Sequence, residues 1–249
     1  MKVVGLDGVK REMDRITAQA EAYRKGGAKV PNIVVNISKE NGQSYVADYI
    51  TSVLHEHRLR KFCGLDMILE YRLDGTLKNV KQVFEDIASN AVYTNEYEGV
   101  VAIDVSALSE YVNESQVDFL VNHIAEVAQS ATVIIYYNED LGKRMEIVKD
   151  RICKALGNFI AIHVEPYSVR EYSEIAVQSI KERGIDIESE EELETILCYV
   201  VCDKHVSNVK EAVAVAEDLA FCTDYSGFIP KIDIDKVNKF FSISEKIKY

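Results

Sequence analysis

Five short runs rich in valine and isoleucine dominate the first two thirds of the chain: NIVVNI (32–37), LDMILEY (65–71), GVVAIDV (99–105), TVIIYYN (132–138) and FIAIHVE (159–165). Each is nearly continuous in apolar residues, with little alternation. Such runs suit strands buried on both faces of a parallel sheet. Helical patterns lie between them. Over 77–88 the apolar residues Leu77, Val80, Val83, Phe84 and Ile87 fall at spacings of three and four. Over 114–129, Val117, Leu120, Val121, Ile124 and Val127 repeat the pattern, with Asn113 and Gln116 as its start signal. Strands alternating with helices require right-handed crossovers. The expected fold is therefore α/β, a three-layer sandwich around a parallel sheet.

The pattern changes after Pro166, and the rest reads as mostly helical. One helix is expected over 169–183, stopped by Gly184. A second is announced by Ser189 and Glu192, spaced as a capping box, and runs to about Cys202. A third opens at Ser207 and reaches about Phe221. The extended piece FIPKIDI then leads into a last helix near 235–241. The expected domains are an α/β core over 1–166 and a smaller helical domain over 167–249. No internal repeat or low-complexity segment is present.

A net charge of −12 argues against a protein that grips nucleic acid through its overall field. The five cysteines (Cys63, Cys153, Cys198, Cys202 and Cys222) are odd in number and scattered, as expected of reduced thiols in a cytoplasmic protein. Cys198, Cys202 and His205 could be drawn as a metal cluster. The two cysteines sit one helical turn apart in the apolar run ILCYVVC, however, and read as packed core thiols. The N-terminal stretch has no apolar secretory core, and no apolar run approaches a membrane span.

The most telling local motif follows the first strand. Laid on the phosphate-loop pattern G-x-x-x-x-G-K-[ST], the window 37–44 reads ISKENGQS. The second glycine (Gly42) and the hydroxyl (Ser44) are present. Ile37 stands at the first glycine, and Gln43 at the lysine that supplies a fixed positive charge to phosphate. Glu40 adds negative charge inside the turn, and Lys39 stands four positions early. The N-terminus of the helix after Ser44 still favours an anion.

The order and spacing of such segments resemble the AAA+ family of P-loop ATPases over almost the whole chain. GLDGVKREMDRI (5–16) looks like the family's N-terminal segment, which implies an adenine-side role for Gly5 and Leu6. The loop then implies nucleotide contacts from Gly42, Gln43, Ser44 and Tyr45. GVVAID (99–104) matches the Walker B strand, so Asp104 with Ser44 would hold Mg²⁺. YYNED (136–140) places Asn138 at sensor 1, and the helix VSNVKEAVAVAEDLA (206–220) places Lys210 at sensor 2. Arg144 and Arg151 stand where a finger arginine would reach a neighbouring subunit. Tyr71, Arg72 and Leu73 lie where the pore loop would be and otherwise read as a solvated loop.

Two departures weaken the implied reaction. The position after Asp104, where the family carries its water-activating glutamate, is Val105, which cannot accept a proton. Positioned general bases contribute roughly 10²- to 10⁴-fold in rate, and Gln43 removes electrostatic stabilisation as well. The expectation is a degenerate AAA+ module that binds ATP or ADP with Mg²⁺, or no cofactor, and hydrolyses poorly. It would serve as a nucleotide sensor, regulator or scaffold for a protein partner or like subunits, with no membrane role. The alternatives are a divergent active ATPase that remodels a protein partner, and a clamp-loader or initiator-like module on nucleic acid, which the acidity disfavours.

Overall fold

The computed structural model describes residues 4–60, 68–94, 99–108 and 114–241. These form two compact units. One comprises Leu6–Lys39 and Gln43–Glu165; the other comprises Met1–Gly5, Glu40–Gly42 and Pro166–Tyr249.

The first unit is a three-layer sandwich. Its strands are β1 (Asn32–Asn36), β2 (Ile68–Arg72), β3 (Val100–Asp104), β4 (Thr132–Tyr137) and β5 (Phe159–His163). All neighbours pair in parallel, in the order β2-β3-β4-β1-β5. The continuous apolar runs explain the order. Strands β1 and β3 are buried at every residue, while the edge strands β2 and β5 are only partly covered.

The helices of this unit are α1 (Asp7–Ala18), α2 (Ala20–Lys25), α3 (Gln43–Glu56), α4 (Leu77–Thr94), α5 (Glu114–Ser130) and α6 (Lys143–Leu156). Successive side chains of a strand point to opposite faces. Val101, Ile103, Val133 and Ile135 share one core with Val80, Val83 and Phe84 of α4, Leu120 and Ile124 of α5, and Val148 and Ile152 of α6. On the remaining layer α1 packs against α3 and β5, and α3 against β2. Two asparagines are buried in the interior strand β1, and both have partners. Asn32 accepts from the Val133 amide at 2.9 Å and donates to the Asn158 carbonyl at 3.3 Å. Asn36 accepts from the Glu139 amide at 3.1 Å and lies 2.7 Å from His163 Nδ1. Pairing of this kind is what makes a buried amide tolerable.

The second unit contains α7 (Val169–Glu182), α8 (Glu190–Asp203), α9 (Val209–Leu219) and α10 (Ile234–Phe240), with an antiparallel pair of short strands, β6 (Thr223–Asp224) and β7 (Lys231–Ile232). Its core joins Ala176, Ile180, Leu193, Leu197, Val200, Val215 and Leu219 to Ile232 and Val237. Helix α7 opens with a complete capping box: Ser168 accepts from the Glu171 amide while Glu171 accepts from the Ser168 amide. Asn208 and Asp233 cap α9 and α10 with the side-chain half alone, accepting from the Glu211 and Lys236 amides.

Several sequence expectations are corrected. Ser189 precedes α8, but its side chain makes no capping bond, so the expected box there is not formed. Tyr71 and Arg72 are strand residues of β2, and Leu73 is fully buried, so they do not form a solvated loop. The paired register with β3 continues to the end of β2 and draws them in. Cys202 is exposed and Cys198 half-buried, so of that pair neither is a fully packed core thiol. Cys63 and Asn113 lie outside the described residues.

Candidate functional site

Strand register assembles the site. Arg72 on β2, Asp104 on β3 and Tyr136 on β4 are direct neighbours in a row across three strands, near their C-terminal ends. Stepping back two residues adds Glu70 beside Ala102 on the same face. The chain leaves β1, passes the loop and enters α3 at Gln43. Gly42 lies just before it in the left-handed region (φ +84°), a backbone conformation that costs glycine nothing. Glu40 adopts the same region at φ +64°, where a non-glycine residue is strained by about 1–2 kcal/mol.

Gln43 and Ser44 of α3, Glu70, Tyr71 and Arg72 of β2, Ala102 and Asp104 of β3, and Tyr136 of β4 together line a cavity of about 220 Å³. Its chemistry is mixed. Asp104 is nearly buried. Its Oδ1 accepts from the Ser106 amide at 2.9 Å, and its Oδ2 lies 3.8 Å from Arg72 Nε. Partial burial raises the Glu70 carboxyl above its ordinary value. A hydrogen bond with the Ser44 hydroxyl opposes that shift, and the negative charge of Asp48 adds to it. Tyr136 is buried, and its hydroxyl donates to the Gln43 carbonyl at 2.8 Å. Burial, followed by the charges of Glu70, Asp48 and Asp104, pushes that phenol well above its usual range, so it stays a donor.

The residues picked out from the sequence divide clearly. Gln43, Ser44 and Asp104 meet in the cavity. Val105 is fully buried in the core shared with α4 and α5, and its amide donates to the Tyr136 carbonyl at 2.9 Å. Tyr45 is half-buried on α3, outside the lining. Asn138 turns on itself, accepting from the Asp140 amide at 3.0 Å to cap a 3₁₀ turn. Leu6 is buried ahead of α1 with φ +58°. Gly5 (φ +62°) belongs to the other unit, where a Cβ would meet the Tyr167 ring at 2.7 Å. Lys210 is occupied in that same unit: its ammonium lies 3.4 Å from the Glu40 carboxylate, and its amide donates to the Glu40 carbonyl. Arg144 is exposed on α6, and Arg151 pairs with Asp118 of α5. Lys39 is exposed and outside the lining.

Glu70, Tyr71, Arg72, Ala102 and Tyr136 line the cavity without having been assigned to it from the sequence. The available signal was charge at alternate positions of LEYR, since two charged residues on one strand face mark an edge strand with something to contact. Among the described residues, no group of three or more His, Cys, Asp or Glu side chains is arranged to hold a metal. No described helix is long and apolar enough to cross a membrane.

No protein-family model matches the chain, and no curated protein matches it. Solved structures do. The Thermotoga maritima RuvB Holliday junction branch migration motor superposes with a TM-score of 0.59 at 16% identity, covering 96% of this chain and 70% of that one. Domain III of the Thermotoga maritima replication initiation protein DnaA superposes with a TM-score of 0.54 at 12% identity, covering 99% and 95%. Identities this low speak for the fold alone. Sheet order, the loop between β1 and α3, the helical C-terminal part and these structural neighbours agree that the chain has the AAA+ P-loop ATPase fold.

Proposed function

We propose that this chain is a degenerate AAA+ module, a nucleotide-sensing, regulatory or scaffolding protein with poor or absent ATP hydrolysis. One observation carries the reading. The cavity beside Ser44 presents Glu70 and Asp104, while the position after Asp104 is sealed into the apolar core as Val105. No carboxylate stands at that position to draw a proton from water, and Gln43 brings no charge to the loop.

A nucleotide with Mg²⁺ suits the residues that remain. Ser44 and Asp104 offer a hydroxyl and a carboxylate in one cavity, the hard oxygen donors that Mg²⁺ takes alongside phosphate oxygens. The metal would neutralise phosphate charge. The chain's own part is to orient through Ser44 and Asp104, and to hold the start of α3 through the Tyr136–Gln43 bond. We assign residues 1–166 to the nucleotide-handling core and 167–249 to its helical lid. The partner is read as a protein or like subunits in the cytoplasm. The structural neighbours are a Holliday junction branch migration motor and a replication initiation protein, but a net charge of −12 opposes a field-driven grip on nucleic acid by this chain.

The divergent-ATPase reading draws on Glu70, a carboxyl in the cavity raised by partial burial. Calorimetric titration of Mg-ATP beside a phosphate-release assay separates the two. Binding without turnover supports the sensor. Turnover abolished by both Asp104→Ala and Glu70→Gln would establish the ATPase instead.

A further inference from the structure

We propose that Arg72, at the end of edge strand β2, is the phosphate-binding cation of this cavity and takes over the role that the loop lysine would have. The inference rests on the nucleotide-sensing reading and names the residue through which sensing occurs.

Position comes first. Arg72 is in register with Asp104, which is in register with Tyr136, so it stands in the row of residues facing Gln43 and Ser44 across the cavity. The strand supplies this placement without any loop movement. Among the described residues lining the cavity, Arg72 alone carries positive charge. The other candidates are elsewhere: Lys39 lies outside the lining, and Lys210 is engaged with Glu40.

Capacity comes second. The Arg72 side chain is 62% exposed, and its ion pair with Asp104 is loose, 3.8 Å from Nε to Oδ2. That distance exceeds a direct hydrogen bond. A guanidinium has five donors in a fixed fork that matches phosphate oxygens two at a time. Arg72 can therefore take a phosphate while remaining beside Asp104.

Size and charge define the ligand class. Pockets for whole small molecules span about 300–1,000 Å³. The cavity of about 220 Å³ suits the phosphate end of a nucleoside di- or triphosphate, or pyrophosphate, with the remainder outside. Glu70 and Asp104, with Asp48 close enough to act on Glu70, outnumber the single guanidinium. A bare polyanion is repelled by that balance, so binding requires the divalent cation.

The test is calorimetric titration of the full chain with Mg-ATP and with Mg-pyrophosphate, each repeated in EDTA. Wild type is expected to bind both only with Mg²⁺. Arg72→Gln should weaken binding at least tenfold at an unchanged melting temperature. Arg72→Lys should fall between the two, since it keeps charge and loses the fork. Arg72→Gln combined with Gln43→Lys should recover binding. Wild-type binding that Arg72→Gln leaves unchanged would overturn the assignment and leave the sensor reading intact. Absence of binding to wild type would overturn both.

Discussion

The Tyr136 hydroxyl donates to the backbone carbonyl of Gln43 across 2.8 Å, joining the end of β4 to the first residue of α3. A tyrosine that is almost wholly buried thus fixes the helix start from which Ser44 projects. Tyr136→Phe keeps the ring and removes this donor to the Gln43 carbonyl. The expected loss is about 0.5–1.5 kcal/mol of stability. Urea denaturation of the two proteins measures it, and equal midpoints would mean that water replaces the hydroxyl.

Glu70 sets a pH dependence. It is faced by Ser44 and Asp48 from α3, by Ala102 and Asp104 from β3, by Tyr136 from β4 and by Arg72 on its own strand. The folded protein holds this proton more tightly than the unfolded chain, whose ordinary value is 4.5. Stability contributed by the protonated form is therefore complete below that value and is lost as pH rises through the raised folded value. Glu70→Gln should gain over wild type in urea midpoint between pH 4 and pH 7, with the difference small at pH 4. A constant or shrinking gap contradicts the shift.

Restoring the two missing groups should not give equal results. Val105 is fully buried among Ile103, Leu108 and Val117. Val105→Glu would push a carboxylate into that core, a penalty of about several kcal/mol, and its melting temperature should fall sharply. Gln43 lies at the cavity, so Gln43→Lys should fold normally and tighten Mg-ATP binding. A well-folded Val105→Glu protein would show that the core yields there.

The two serines before α7 and α8 offer a direct comparison. Ser168 makes a reciprocal cap with Glu171, whereas Ser189 makes no capping bond. Ser168→Ala should cost about 0.5–2 kcal/mol, and Ser189→Ala should change the denaturation midpoint hardly at all. A reversed order would contradict the described helix starts.

The sheet was legible because burial on both faces writes itself as unbroken apolar runs, and β1, β3 and β4 are of that kind. Edge strand β2 was harder, since LEYR mixes charge with apolar residues and Tyr71–Arg72 read as loop. The same edge placement hid the site: Glu70 and Arg72 reach the cavity through pairing with β3, a long-range relation that spacing along the chain does not encode. Tyr136 looked like core and is core, but its hydroxyl holds the first residue of α3. The Ser189–Glu192 spacing matched a capping box, yet the side chain forms no such bond; the Ser168–Glu171 pair at the same spacing does.

The compact units do not follow chain order, because Glu40–Gly42 clusters with the C-terminal helices. There the Asn41 side chain accepts from the Val209 amide at 3.3 Å, and the Glu40 carbonyl accepts from the Lys210 amide. A fragment that begins at Pro166 would therefore lack the acceptors at the start of α9. A single protease nick between the units would not release two intact halves, and dissection of this protein by truncation removes part of one unit whichever end is kept.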